Sequence, residues 1–371
     1  FMYYGMHHII NILKYLFSTK YLEFILFYFI LFYSTRNEVM SMGTNSYDFE
    51  LEKIKEFIKN RDARRVGLQL PEGLKTVAIV IASEITKDTG AEVIISGSSC
   101  YGACDVDEKL ERIVDLLFHF GHSETFFLKK IKHVLKEKVQ RNVFFIELRS
   151  NVGIKPVLEK AIPELKGGCV GLVATVQHVH ELKEAKILLA RVGKRAVIGK
   201  SKNLKYDGQV LGCDFSSATV PCDEILFLGS GSFHPIGLAL YVGKRVIAAD
   251  PFSMQINIHE PEEQRKKRYI AIGRALDANS FGILIGQKCG QFNLNEASAL
   301  RLKAVHNGLD AYLIAMEEIT EANLLGFKVD AFVNTACPRL VEDFVHFKTT
   351  VISATEFEVV LGERDWEDLW Q

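Results

Sequence analysis

Val66-Gly67-Leu68-Gln69-Leu70, Val170-Gly171-Leu172-Val173-Ala174 and Phe281-Gly282-Ile283-Leu284-Ile285 are three versions of one short apolar strand with a glycine near its start. Their glycines are 104 and 111 residues apart. Behind each strand lies a stretch of helical period (74–88, 180–192 and 294–308), then a second apolar strand (92–95, 195–198 and 311–314). Strand, helix, strand in this succession implies a right-handed parallel crossover. A third strand follows with an acid at its head, Asp115, Asp223 or Asp330, and a fourth closes each unit at 142–146, 245–248 and 350–353. Runs this apolar suit parallel strands buried on both faces. The pattern predicts an α/β protein of three similar small α/β domains with parallel sheets, over 42–152, 153–265 and 266–371, in a pseudo-threefold arrangement with a central cleft.

Composition agrees with several packed cores. Among 371 residues, 48% are hydrophobic and 25% charged, which excludes a disordered chain. Lys plus Arg number 45 against 46 Asp plus Glu, so no broad basic field exists to hold nucleic acid, and a macromolecular partner is expected to be protein. Seven cysteines, an odd number spread thinly over a long chain, do not form the dense framework of a small secreted domain and point to a reducing, cytoplasmic setting.

The first forty residues differ from the rest. The stretch to Tyr33 is strongly apolar, most of all in YLEFILFYFILFY at 21–33, but Lys14, Lys20 and Glu23 interrupt it and leave only ten uncharged residues from Phe24 to Tyr33, short of the about 20 a membrane helix needs. We expect residues 1–41 to be a hydrophobic leader outside the working protein, with no membrane contact unless that leader is real. An amphipathic helix at 48–60 then opens the folded part.

The repeat gives the cysteines positions. Cys104 follows strand two of the first unit in Tyr101-Gly102-Ala103-Cys104-Asp105, Cys213 follows strand two of the second in Leu211-Gly212-Cys213-Asp214, and Cys337 follows strand three of the third in Ala336-Cys337-Pro338-Arg339. Each leaves the carboxyl end of a strand, where open α/β sheets place ligands. Two readings of the trio stand at this point: three thiolates converging on a soft metal centre, or three buried thiols filling cores. Cys100 and Cys104 make a C-x3-C, but Asp107 stands where a C-x3-C-x2-C radical-enzyme loop would have its last cysteine. Cys169 and Cys222 read as structural, and Cys289 sits in a Gly-rich turn.

Taken in order, Gln69-Leu70-Pro71-Glu72-Gly73-Leu74, Tyr101-Gly102-Ala103-Cys104, His119-Phe120-Gly121-His122-Ser123, Leu211-Gly212-Cys213, Phe233-His234-Pro235, Asp250-Pro251-Phe252-Ser253 and Ala336-Cys337-Pro338-Arg339 resemble the archaeal diphthamide synthesis enzymes, the 2-(3-amino-3-carboxypropyl)histidine synthase family. The resemblance runs from residue 48 to the end and leaves 1–41 without a counterpart. It implies a [4Fe-4S] cluster on Cys104, Cys213 and Cys337, in preference to Cys100. It further implies radical transfer of the 3-amino-3-carboxypropyl group from S-adenosyl-L-methionine to a histidine of translation elongation factor 2, in a homodimer fed by an electron donor and without direct contact to nucleic acid.

Other residues take graded roles. The backbone amides of Gly229, Ser230 and Gly231, with His234, could hold the methionyl carboxylate or the ribose, or form a plain turn. Gln287 matches a position the resemblance suggests for the methionyl part. His119 and His122 read as hydrogen-bonded structural histidines, and the charged run 262–268 as a solvated helix face. Two alternative functions are a non-catalytic iron-sulfur electron-transfer or scaffold subunit of such an enzyme, and a quinolinate-synthase-like three-cysteine enzyme, whose motifs are not matched.

Overall fold

The computed structural model describes residues 46–124, 142–344 and 349–370; the hydrophobic leader lies outside the described residues. Among the described residues the chain forms three main sheets, chiefly of parallel strands, and a small antiparallel pair of Tyr47–Asp48 with Arg149–Ser150. The first layer holds β1 (Tyr47–Asp48), β2 (Arg65–Gln69), β3 (Glu92–Ile95), β4 (Leu116–Phe120), β5 (Val143–Ile146) and β6 (Arg149–Ser150). The second holds β7 (Cys169–Ala174), β8 (Arg195–Val197), β9 (Glu224–Leu228), β10 (Val246–Ala249) and β11 (Ile256–His259), and the third β12 (Ser280–Gly286), β13 (Asp310–Met316), β14 (Ala331–Asn334) and β15 (Val351–Ser353). The orders are β3-β2-β4-β5, β8-β7-β9-β10 with β11 added, and β13-β12-β14-β15. Every unit therefore has the order two, one, three, four, and each reverses direction between strands one and three. That crevice is where doubly wound sheets bind ligands.

The central strands of each sheet are buried on both faces, as the apolar runs require. In the second layer Val170, Leu172, Leu226 and Leu228 pack into one cluster while Val173, Ile225 and Phe227 pack into another on the opposite face. The strand-one glycine serves the second face. Gly67 lies opposite Leu117, Gly171 opposite Ile225 and Gly282 opposite Phe332. A Cβ at these glycines would lie 2.8, 2.6 and 2.7 Å from those side chains, so the glycine makes room for its strand-three neighbour. The acid at the head of strand three returns to strand one. Asp115 Oδ2 accepts the Arg64 and Arg65 amides, both at 2.8 Å; Asp223 accepts that of Cys169 at 2.8 Å; and Asp330 accepts those of Asn279 at 3.0 Å and Ser280 at 2.9 Å.

The structure departs from expectation in several places. The division at 265/266 falls inside one helix, Pro261–Leu276, which begins with Pro at its first turn; the break in secondary structure lies at Glu260. The charged run at the start of that helix is not wholly solvated. Arg268 is 3% exposed, its guanidinium bidentate on buried Glu356 at 2.8 and 2.7 Å and donating to the Val341 carbonyl at 2.8 Å. The second sheet is not purely parallel either: a turn through Asp250-Pro251, with Met254 at φ 58°, brings β11 back antiparallel to β10. Among the described residues, no helix is long and apolar enough to cross a membrane.

Candidate functional site

The loop after β3 carries Cys104 and is held from beneath by Gln69 at the end of β2. The Gln69 side chain is fully buried; its Nε2 donates to the Asp105 carbonyl at 2.6 Å and its Oε1 accepts the Asp107 amide at 3.0 Å. Asp107 in turn caps the short helix Glu108–Glu111 through the Leu110 amide at 2.9 Å and accepts the Ser96 hydroxyl at 2.6 Å. From the third layer, the Gly290 amide donates to the Cys104 carbonyl at 3.0 Å and Gln291 Nε2 lies 3.7 Å from Cys104 Sγ. Lys288 joins the same two layers, with its Nζ 2.9 Å from both Asp105 Oδ2 and Glu318 Oε1 and 2.6 Å from Ser99 Oγ. Burial pushes the Asp105 carboxyl up while Lys288 pulls it back. Burial opposes the Lys288 charge, but the Glu318 and Asp105 carboxylates outweigh it and raise its pKa. Two carboxylates on one amine make an ion pair formed at neutral pH the consistent reading.

Cys213 sits at the tip of a tight turn closed by reciprocal hydrogen bonds between Leu211 and Asp214, at 3.0 and 3.1 Å. The Asp214 carboxylate organises the following residues, accepting the Ser216 amide at 2.9 Å and Asn203 Nδ2 at 3.1 Å. Gly212 is obligatory, since a Cβ there would lie 2.1 Å from the Phe233 ring. Cys337 starts the turn after β14, where its carbonyl accepts Asn334 Nδ2 at 2.8 Å and the Leu340 amide at 3.1 Å.

These turns bring the sulfurs together. Cys213 as a residue is exposed, yet the protein around its sulfur pushes the thiol up to about 12, and Cys104 and Cys337 push in the same direction from nearby. Cys104 and Cys337 are half-buried, and burial raises the Cys104 thiol as well. A soft cation is what three sulfur donors select.

Rings and cations from all three layers edge this cluster. The Arg339 guanidinium lies 4.9 Å from the Tyr101 ring centroid and 5.6 Å from that of Phe233, and Lys288 Nζ lies 5.5 Å from that of Tyr101. His234 is held neutral, its pKa lowered to about 4 by burial and then by Arg339 and His122. His119 Nε2 is 2.9 Å from His122 Nδ1, and His119 Nδ1 is 2.9 Å from Gln69 Oε1. Burial holds His122 down to about 4 and His119 well below its ordinary value.

The residues expected from sequence divide accordingly. Cys104 and Cys337 act electrostatically on Cys213, and His234 feels Arg339 and His122. The Gly229 amide is already donated to the Ala249 carbonyl at 3.2 Å, and the Ser230 hydroxyl donates to Asp250 Oδ1 at 2.7 Å, so that loop first serves the Asp250-Pro251-Phe252-Ser253 turn. The exposed Gln287 donates its amide to the Met316 carbonyl at 2.8 Å. Cys100 is buried beside His119, and Cys169 is buried in its strand. Sequence reasoning gave no role to Tyr101, Lys288, Gln291 or Arg339, although Tyr101 and Arg339 stand within the cysteine motifs themselves.

The fold is that of a three-layer α/β protein with one cysteine of each layer, Cys104, Cys213 and Cys337, in a turn beyond a strand, the first and third acting electrostatically on the second. The family model for diphthamide synthesis proteins matches residues 70–371. The 2-(3-amino-3-carboxypropyl)histidine synthase of Pyrococcus horikoshii is 35% identical over 320 residues, 85% of this chain and 90% of that protein. Subunit 1 of the human 2-(3-amino-3-carboxypropyl)histidine synthase is 29% identical over 334 residues, 87% of this chain and 74% of that protein. The crystal structure of Dph2 from Pyrococcus horikoshii with a 4Fe-4S cluster superimposes with a TM-score of 0.76 at 34% identity, covering 86% of this chain and 92% of that one. The chain belongs to the diphthamide synthesis protein family and, within it, to the 2-(3-amino-3-carboxypropyl)histidine synthases.

Proposed function

We propose that this chain moves the 3-amino-3-carboxypropyl group of S-adenosyl-L-methionine onto a histidine ring carbon of translation elongation factor 2, with Cys104, Cys213 and Cys337 as ligands of a [4Fe-4S] cluster. The observation that supports this reading is that Cys104 and Cys337, from the first and third layers, act electrostatically on Cys213 from the second. The donor set fits the group: three sulfurs suit iron, and three in place of four leave one position open. When bound, such a cluster supplies a low-potential electron beside the sulfonium.

The chain's own residues bind and orient. Gln291 donates toward Cys104 Sγ, a contact of the kind that tunes a thiolate ligand. Arg339, against the Tyr101 and Phe233 rings, is placed to take the methionyl carboxylate, and those rings offer π faces to a sulfonium. Gln287, the Gly229-Ser230-Gly231 loop and His234 are assigned to the rest of the co-substrate. In the net reaction the carbon–sulfur bond to the aminocarboxypropyl group breaks, a carbon–carbon bond to imidazole forms, and 5'-methylthioadenosine and a proton leave. A homodimer, a separate electron donor and a cytoplasmic setting belong to the same reading.

The test is anaerobic reconstitution with iron and sulfide, followed by assay of label transfer from carboxyl-labelled S-adenosyl-L-methionine to the purified factor. The native chain should bind about four irons and label the factor. Ala at Cys104, Cys213 or Cys337 should abolish both, while Ala at Cys169 or Cys222 leaves both. Full iron retention in Cys213→Ala would overturn the shared site.

A further inference from the structure

The loop that carries Cys104 holds a second cysteine that the three-sulfur site does not use. Cys100 is 2% exposed, and its Sγ lies 3.9 Å from His119 Nε2. His119 Nε2 lies 2.9 Å from His122 Nδ1, and the three donor atoms are all within 4.8 Å of one another. His119 comes from β4 and His122 from the turn just after it, so the trio ties that turn to the cysteine loop.

Hydrogen-bond counting shows what this arrangement lacks. Gln69 Nε2 donates to the Asp105 carbonyl and its Oε1 accepts the Asp107 amide, which fixes the amide's orientation. Its Oε1 must then accept from His119 Nδ1, at 2.9 Å. A neutral imidazole has one N–H, so His119 Nε2 presents a bare lone pair toward Cys100 and His122. His122, also with one N–H, faces that lone pair and the backbone carbonyls of Phe120 and Tyr101. The His122 N–H and the weakly donating Cys100 S–H face the His119 lone pair, the lone pair on the other His122 nitrogen and two carbonyls, so acceptors outnumber donors here. A cation between the rings would turn the facing lone pairs into ligands, with His119 held by Gln69 as a metal-bound histidine is held by a second-layer carbonyl.

We propose that Cys100, His119 and His122 form a site for a single borderline-soft divalent cation, zinc foremost, distinct from the three-cysteine centre. One sulfur and two imidazole nitrogens are a zinc donor set. Tetrahedral zinc at its usual bond lengths needs N···N of about 3.3 Å and N···S of about 3.6 Å. The observed 2.9 and 3.9 Å reach those values with shifts of a few tenths of an ångström, and the third pair, His122 Nδ1 and Cys100 Sγ, lies within 4.8 Å. The ion would pin the His119-Phe120-Gly121-His122 turn to the loop that presents Cys104. The inference does not rest on the proposed function.

The full chain, purified with its iron in place, is dialysed against zinc alone and analysed for metal, then with cobalt(II) for its visible bands and sulfur charge-transfer absorption. About one zinc per chain beyond the iron is expected, with a cobalt spectrum of mixed sulfur and nitrogen ligation. His122→Gln and Cys100→Ala should lose that zinc while keeping their iron, which also reports that they fold. Cys104→Ala/Cys213→Ala/Cys337→Ala should lose the iron and keep the zinc. If native protein takes up no zinc or cobalt, if binding survives His122→Gln, or if only the triple variant loses it, the site is refuted.

Discussion

Gly290 lacks a side chain because Cys104 occupies its space. A Cβ at position 290 would lie 2.3 Å from Cys104 Cβ and 2.6 Å from its Cα, with no flexible side-chain end to yield. Gly290→Val is therefore expected to push the third layer off the Cys104 loop, at about 1–3 kcal/mol of overpacking, and to lower iron binding well below the native level. Urea unfolding and iron analysis check the two effects separately; a folded variant with native iron would show that the contact does not position Cys104. This residue also marks where sequence reading stops. Cys104, Cys213 and Cys337 could be singled out because each follows a strand end in a Gly- or Pro-containing turn. Gly290, Gln291 and Lys288 could not, since their partners on the Cys104 loop lie nearly two hundred residues away and no local pattern encodes the contact. Arg339 was within reach: a cation two residues after Cys337 has little reason to follow a buried strand unless it meets a ring or an anion.

The repeat is most legible in the strands, because both of its recurring signals do mechanical work between strands one and three. The glycine admits a large neighbour, and the acid caps the amides at the start of strand one. Asp115 is held below its ordinary value of 3.8 by the Arg65 and Arg64 amides, and Asp330 by the Ser280 hydroxyl and then the Asn279 and Ser280 amides. A carboxyl depressed in the folded state stabilises it above the unfolded value and loses that contribution as pH falls through the folded one. Stability should thus fall as pH drops below about 4, the ordinary carboxylate range. Asp115→Ala/Asp330→Ala should be weaker at pH 7 and less acid-sensitive. Urea midpoints at neutral and acid pH decide it, and an unchanged acid slope would remove these two groups from the account. Helix faces were less legible. Charge alone made the 262–268 run look solvated, and only the fold reveals that Arg268 turns inward to Glu356, 88 residues on. β11 was missed although Ile256-Asn257-Ile258-His259 alternates with the period of a strand, because a four-residue signal beside a proline turn is easily read as loop.

At the scale of the molecule, the question is why three layers are needed to hold three cysteines when one loop could carry them all. A C-x3-C-x2-C loop would place every ligand on one segment, and here Asp107 stands at its third position. In the proposed centre the ligands would come from all three layers, as do Tyr101, Phe233 and Arg339, whose rings and guanidinium lie against one another. In the proposed reaction that grouping would set which of the sulfonium's bonds faces the reductant, orientation being the protein's main contribution when a cofactor carries the chemistry. Delivery of the aminocarboxypropyl group requires its own carbon–sulfur bond to break, which leaves the methyl group on the adenosyl sulfur. With dithionite and S-adenosyl-L-methionine but no elongation factor, the cluster-loaded chain is expected to release 5'-methylthioadenosine together with products of an aminocarboxypropyl fragment. Chromatography of one reaction separates this from the 5'-deoxyadenosine and methionine of adenosyl-bond cleavage. Deoxyadenosine as the main product would refute the proposed mechanism even with the iron in place, and no cleavage by a fully reduced, iron-replete protein would favour a supporting-subunit role instead.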